Sequence, residues 1–211
     1  MNQTRLAGVG GLAFGILAFV AMIIASPPGG NYKASDVTSF LAKGHRPAVF
    51  VSVYLMLIAV AGLLLLLALL RTTIEGLRGT LFWAFSVASA AAWFAGYLLV
   101  VAPATALAFS GGKLGATSLS PQVVYVFCES GWAVMYGAGG ILLGAALITL
   151  VVGRVALPAW VRWSTAVAGV AALAAIAWFP FFLVYLWAIV LGLWTLVAAP
   201  AEAPRTAVQP A

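Results

Sequence analysis

The feature that most constrains this chain is a series of long apolar stretches separated by short polar connections. The stretches cover residues 6–25, 48–70, 80–101, 122–152, 163–178 and 181–198. A helix needs about 20 apolar residues to cross the hydrocarbon core of a bilayer, and most of these stretches reach that length. With 65% hydrophobic and only 7% charged residues, the chain cannot cover a water-soluble fold with polar groups. We therefore predict an all-α transmembrane helical bundle of about six spans.

Proline and glycine mark where the predicted spans begin and end. The run Pro27-Pro28-Gly29-Gly30 cannot continue a helix. Ser120 followed by Pro121 is, in contrast, a typical helix start. No shift in composition divides the chain, so we predict a single transmembrane domain. Residues 199–211, rich in Pro and Ala, are predicted to form a flexible tail.

A short polar connection follows the first span and contains a helix signal of its own. Ser35 and Asp36 can cap a helix over residues 37–42. Val37, Phe40 and Leu41 would then share one apolar face. This pattern predicts a short interfacial helix that lies on the membrane surface.

Two junctions leave the number and shape of the spans open. A single helix over 163–198 would be about 52 Å long, so a break at Phe179-Pro180-Phe181 and two spans fit better, with five spans as the alternative. The stretch 122–152 would itself be roughly 48 Å long, so it must tilt, kink at its glycines or project beyond the bilayer. Pro103 marks either a kink or the end of the third span.

The positions of Lys and Arg predict the orientation. One side of a six-span chain collects Arg5, Arg71, Arg78, Arg154, Arg162 and Arg205. The other side collects Lys33, Lys43, Arg46 and Lys113 over longer loops. Because cytoplasmic loops carry the excess of positive charge, we predict both termini in the cytoplasm and the chain in the inner, or plasma, membrane. The first stretch is longer than a signal-peptide core of about 7–15 residues, so we expect it to be retained.

Several function classes are excluded by what the sequence lacks. One histidine, His45, and one cysteine, Cys128, cannot form a multi-His or multi-Cys metal site within one chain. The bases are scattered singly, which gives no support to nucleic-acid binding. Signatures of hydrolases, zinc proteases and nucleotide-binding enzymes are absent, so a non-catalytic protein is favoured over an enzyme. A bound lipid, quinone or pigment leaves little motif, so any cofactor stays open.

Glu129 is the only acid inside an apolar stretch, and such residues are expected to have a function. Helical spacing places aromatic side chains on its face, and the topology places the start of the second span in the same leaflet. We therefore predict a polar cluster of Glu129 with Arg46 or His45, which Asp36 and Lys113 can join. With the neighbouring aromatic side chains, the predicted ligand or proton site consists of Glu129, Tyr125, Trp132, Tyr136, Arg46 and His45. The alternative is a glutamate at the membrane interface within an aromatic belt.

Small residues at helical spacing predict close helix packing. Gly11-x-x-x-Gly15 and Gly140-x-x-x-Gly144 each place two glycines on one helix face. These faces fit packing inside the bundle better than contacts between copies of the chain, although both remain open.

Three parts of the sequence are similar to segments of known proteins: LPAWVRWSTAVAGV from Leu157, the start TRLAGV from Thr4, and the polar connection ending near His45-Arg46. In these parts the chain resembles a family of small polytopic bacterial membrane proteins of a domain-of-unknown-function type. The resemblance covers about a quarter of the chain. It implies a compact helical bundle in a bacterial membrane and no catalytic residues.

Two functions follow as hypotheses. The first is a non-catalytic accessory or structural subunit, in contact with the lipid bilayer and with other membrane subunits or further copies of itself. The second is a small transporter, channel or ligand sensor that uses a polar pocket around Glu129.

The predicted orientation can be tested with reporter fusions. Alkaline phosphatase needs disulfides and is active only outside the cytoplasm. We expect it to be inactive when fused to the C-terminus and active when inserted after Gly112, in the loop at 110–120. Activity of the C-terminal fusion would contradict the orientation.

Overall fold

A computed structural model describes residues 3–30, 33–153, 157–177 and 179–198 of the chain. The predicted tail at 199–211 lies outside the described residues, as do Arg154 and the end of the predicted span 163–178 at Trp178.

The described residues form helices and connections, with no strand among them. The helices are α1 (Gln3–Ala25), α2 (Ala34–Leu41), α3 (Arg46–Arg71), α4 (Gly76–Phe109), α5 (Pro121–Trp132), α6 (Gly140–Val152), α7 (Ala159–Leu173) and α8 (Phe182–Ala198). In the described part of the chain, five helical segments are long and apolar enough to cross a membrane. The prediction of an all-α transmembrane bundle is therefore confirmed.

Helix α2 is the short helix predicted after the first span. Its apolar residues Val37, Phe40 and Leu41 are buried. They face the protein, because α2 packs across α4 and α5. The same amphipathic pattern that predicts a helix on the membrane surface is thus used to cover the end of the bundle.

Helix α4 continues past Pro103 to Phe109, beyond the predicted end at residue 101. Proline has no N–H, so the carbonyl of Leu99 loses its usual helical partner. Proline is more frequent in membrane helices than in soluble ones, and Pro103 is buried inside the bundle.

The fourth apolar stretch is one long helical segment with a change of pitch in its middle. Between α5 and α6, residues Ala133–Gly139 form a π-helical segment. This wider turn is where the backbone adjusts, in a region rich in glycine. The Ser89 hydroxyl of α4 donates to the Gly139 carbonyl at 2.7 Å and satisfies a main-chain group at the end of the π segment.

The helices close into a ring. Helix α1 packs against α3 and α8, α3 against α4, α4 against α5 and α6, α6 against α7, and α7 against α8. The start of α1 lies beside the end of α8, since a Cβ added at Gly8 would be 2.6 Å from Thr195 Oγ1. Both described ends of the chain therefore lie at the same end of the bundle.

Helices α7 and α8 are separate and form an antiparallel hairpin. The rings of Trp160 and Trp194 lie 5.4 Å apart, and Trp187 Nε1 donates to Thr165 Oγ1 at 3.1 Å. Helix α7 has 15 residues and is about 22 Å long, shorter than a hydrocarbon core of ~30 Å. The count of six complete spans stays a prediction.

Aromatic side chains fill the centre of the ring. We call this group the aromatic core; it consists of Phe14, Trp93, Tyr136, Phe181 and Tyr185, from four different parts of the ring. Trp93 and Phe181 have ring centroids 4.6 Å apart, and Phe14 and Tyr185 are 5.5 Å apart. Edge and tilted arrangements of this kind stabilise aromatic pairs beyond the area they bury. The turn Phe179–Phe181 thus inserts one aromatic ring into the bundle interior.

Glycines bring the helix backbones together around this core. Gly11 and Gly15 lie against α8, and Gly140 and Gly144 lie against α7. A Cβ added at Gly11 would be 2.7 Å from a main-chain oxygen of the neighbouring helix, and at Gly144 it would be 2.8 Å away. All of these contacts are inside the bundle.

The close approach of α4 and α5 can be tested at Gly96. A Cβ there would be 2.6 Å from Met135 N and 2.7 Å from Gly131 O, both rigid backbone atoms. We expect Gly96→Ala to lower the free energy of unfolding by about 1–3 kcal/mol, because the two helices must separate. Thermal unfolding in detergent micelles would measure it.

Gly137→Ala is the matched control for this substitution. Gly137 is also buried and helical, but no neighbouring heavy atom lies within 4 Å of an added Cβ. Alanine restricts the unfolded chain more than glycine does, which is worth about 0.4–1 kcal/mol, so this variant should be as stable as the parent or more so. Equal stability of the two variants would contradict the packing described for Gly96.

Candidate functional site

The polar side chains of interest gather at one end of the bundle, which we call the capped end. Here α1 and α4 end and α3 and α5 begin, with α2 and the segment 26–30 above them. The predicted residues around Glu129 lie at this end or on the helix turns that lead to it.

His45 holds the end of α1. Its Nε2 lies 2.8 Å from the carbonyl oxygen of Ala25, the last residue of that helix. A carbonyl can only accept, so Nε2 carries the hydrogen of this bond. The last carbonyls of a helix have no partner within the helix, and His45 supplies one.

Arg46 does the same for α4. Its Nη1 donates to the carbonyl of Leu107 at 3.4 Å, in the last turn of that helix. A cation at this position also interacts favourably with the negative end of the helix dipole. The adjacent pair His45-Arg46 therefore attaches the start of α3 to the ends of two other helices.

Glu129 is half-buried on α5 and supports the segment that follows α1. The Tyr125 hydroxyl, one turn away, lies beside the Glu129 carboxylate and donates to the carbonyl of Gly30. A Cβ added at Gly29 would be 3.3 Å from Trp132 Nε1 and 4.0 Å from Glu129 Oε1. The face of α5 that carries Glu129 is thus covered by the segment 26–30.

The other predicted site residues are divided between two levels of the bundle. Trp132 and Tyr136 stack at 5.7 Å, and the Tyr136 hydroxyl lies 3.1 Å from Met22 Sδ, so Tyr136 belongs to the aromatic core. At the capped end, Arg46 and His45 contact main-chain carbonyls, and in the described part of the chain no salt bridge joins either to Glu129. Ligand or proton binding by this group stays a prediction.

A cavity of about 340 Å³ opens at the capped end, between the segment after α1 and α2. It is lined by Ser26, Pro27, Pro28, Gly29, Asp36, Ser39, Phe40 and His45. The sequence analysis missed most of these residues, because the Pro-Gly run reads only as the end of a helix. The backbone at Ser26, where α1 ends and the lining segment begins, also could not be read from the sequence. Its φ of 41° lies in the left-handed region that residues other than glycine rarely occupy.

Among the described residues, metal binding would depend on the metal-ligating side chains and thiol chemistry on Cys128. Among the described residues there is no group of three or more His, Cys, Asp or Glu that could hold a metal ion. Cys128 is buried, and its Sγ lies 3.4 Å from the carbonyl of Val100, a packing contact between α5 and α4.

Comparison of the chain with protein-family models, with curated proteins and with solved structures finds no match. The site is therefore interpreted from its own geometry. The resemblance to small bacterial membrane proteins stays a prediction.

The role of His45 can be tested with two substitutions. We expect His45→Phe to lower the free energy of unfolding by about 1–3 kcal/mol, since the Ala25 carbonyl loses its donor. His45→Gln is the control, because its amide can still donate, and it should retain most of the stability. Thermal unfolding would compare them, and hydrogen exchange should show faster opening of the end of α1 in His45→Phe only. Equal exchange in both variants would show that the hydrogen bond does not hold α1.

Proposed function

We propose that the protein is a non-catalytic integral membrane protein that acts as an accessory or structural subunit of a membrane complex. In this proposal it lies in a bacterial inner membrane with both termini in the cytoplasm. The observation that carries it is the filled interior: the aromatic core occupies the centre of the ring of helices. A pore or a substrate site at this level would need open space between the helices, and these rings fill that space.

The buried hydroxyl groups support the same conclusion. Among the described residues, the fully or almost fully buried Ser and Thr are Ser52, Ser86, Ser89, Thr165 and Thr195. Three donate to carbonyls of their own helix, Ser89 donates to the Gly139 carbonyl of a neighbouring segment, and Thr165 accepts from Trp187. Each of these hydroxyls thus has a partner inside the protein.

An open apolar groove on the outside of α7 and α8 supports contact with a partner. It has a volume of about 470 Å³ and is lined by Trp163, Ala166, Val167, Val170, Ala171, Ala174, Pro180 and Leu183. Small side chains let helix backbones approach closely in a membrane. The glycine faces of α1 and α6 are already used inside the bundle, so this alanine-lined groove is the surface that best fits a transmembrane helix of another subunit.

Native mass spectrometry after mild solubilisation, at native expression level, tests this proposal. We expect a complex that contains a second chain, and a tryptophan in the groove should weaken the binding of that chain. Val170→Trp should lower the bound fraction about tenfold, because a bulky ring prevents close helix approach. Val126→Trp is the matched control, since Val170 and Val126 are 60% and 62% exposed and lie on different helices.

A strict monomer with no partner at native expression would overturn the subunit proposal. Equal loss of the complex in both tryptophan variants would remove the groove as the contact surface.

The cavity at the capped end favours a second candidate function, a sensor for a small ligand. The same filled interior that argues against transport leaves this possibility open, because ligand binding at one end needs no path through the bundle. Of its lining residues, Gly29 lies near Glu129, and Asp36 and His45 belong to the polar cluster expected from the sequence.

A further inference from the structure

The walls of the cavity at the capped end are held in place by contacts outside it. His45 holds the last carbonyl of α1, just before Ser26, and Tyr125 holds the carbonyl of Gly30 at the other end of the segment. Between them, Gly29 rests against Trp132. A cavity with walls fixed in this way does not have to be ordered by a ligand, which lowers the cost of binding.

The polar atoms of the cavity are acceptors. The Nε2–H of His45 is used by Ala25, and in the tautomer that carries its hydrogen on Nε2 the Nδ1 atom is an acceptor. The Ser39 hydroxyl donates to the Ser35 carbonyl at 3.1 Å, which leaves its oxygen lone pairs. The Asp36 carboxylate accepts only, and no Lys or Arg occurs among the described residues that line the cavity.

Among the described residues that line the cavity, Asp36 is the one acid, and none is a Lys or Arg. Asp36 lines the cavity, and Glu129 lies behind Gly29. The C-terminal end of α1, with its partial negative charge, also points toward it. Lys33 and Lys43 flank α2, but in the described part of the chain neither forms a salt bridge with Asp36. Arg46 also lies at this end, where it donates to the carbonyl of Leu107 and does not line the cavity.

We propose that this cavity binds the primary ammonium group of a small molecule. An ammonium group has three donors and no acceptor, which matches the Asp36 carboxylate, the Ser39 hydroxyl oxygen and His45 Nδ1. A cavity of about 340 Å³ is at the small end of ligand pockets, which span roughly 300–1,000 Å³. The inference deepens the sensor candidate and is independent of the subunit proposal, because it is tested on the purified chain alone.

Saturation-transfer NMR with ethylammonium tests the site, using the full chain in phosphatidylcholine nanodiscs at constant ionic strength. A ligand with so few atoms should bind with a dissociation constant of about millimolar. Ethanol and acetate, of similar size but neutral or anionic, should bind at least about tenfold more weakly, because neither offers three charged donors. Equal binding of either compound would overturn the proposal, as would no binding of ethylammonium.

Substitutions of single acids locate the site. Asp36→Asn should weaken ethylammonium binding about tenfold, since the charge-assisted hydrogen bond is lost. Glu75→Gln is the matched control: it also neutralises one exposed acid, but it precedes α4 at the other end of the bundle, and binding should be unchanged. Undiminished binding in Asp36→Asn would overturn the proposal, and so would a tenfold loss in Glu129→Gln alone.

Primary ammonium groups occur both in free amines and in the headgroup of phosphatidylethanolamine. Repeating the titration in nanodiscs that contain phosphatidylethanolamine separates the two sources. Loss of ethylammonium binding there supports a lipid headgroup as the occupant. Unchanged binding supports a free amine from the aqueous side.

Discussion

Backbone polar groups in a membrane have no water to bond, and this constraint governs most of what the structure shows. Long helices satisfy their own N–H and C=O groups, except at their ends and where the pitch changes. At those places the chain supplies side chains: His45 for α1, Arg46 for α4 and Ser89 for the end of the π segment. Many of the few polar side chains in the described residues therefore form hydrogen bonds with main-chain carbonyls.

In a membrane there is no hydrophobic driving force between helices, so their association depends on how closely their side chains and backbones pack. Glycines allow backbones to meet at the edges of the ring, as between Gly96 and Gly131. Aromatic rings fill the space that remains at the centre, where Trp93 contacts rings from three other parts of the chain. Small residues at the contacts and large ones in the middle give a bundle with a closely packed interior.

The contacts that hold the helix ends at the capped end also border a cavity. The hydrogen bond that fixes α1 orients the ring of His45, and the helix geometry of α2 turns the Ser39 hydroxyl toward its own backbone. Both leave acceptor atoms available beside Asp36. The same contacts that stabilise the fold thus set the hydrogen-bonding character of the cavity.

The sequence by itself determined the membrane class, the helical architecture and the short helix α2, because apolar length, helical period and Pro-Gly breaks are local signals. It also indicated that 122–152 could not be a straight regular span, although only the structure placed the π segment there. The continuation of α4 through Pro103 was decided by tertiary packing, since neighbouring helices determine whether a lost hydrogen bond is tolerated. The partners of His45, Arg46 and Gly29, and the cavity they border, were likewise decided only by the tertiary structure. They join segments far apart in the chain, and no local pattern records which helix ends meet.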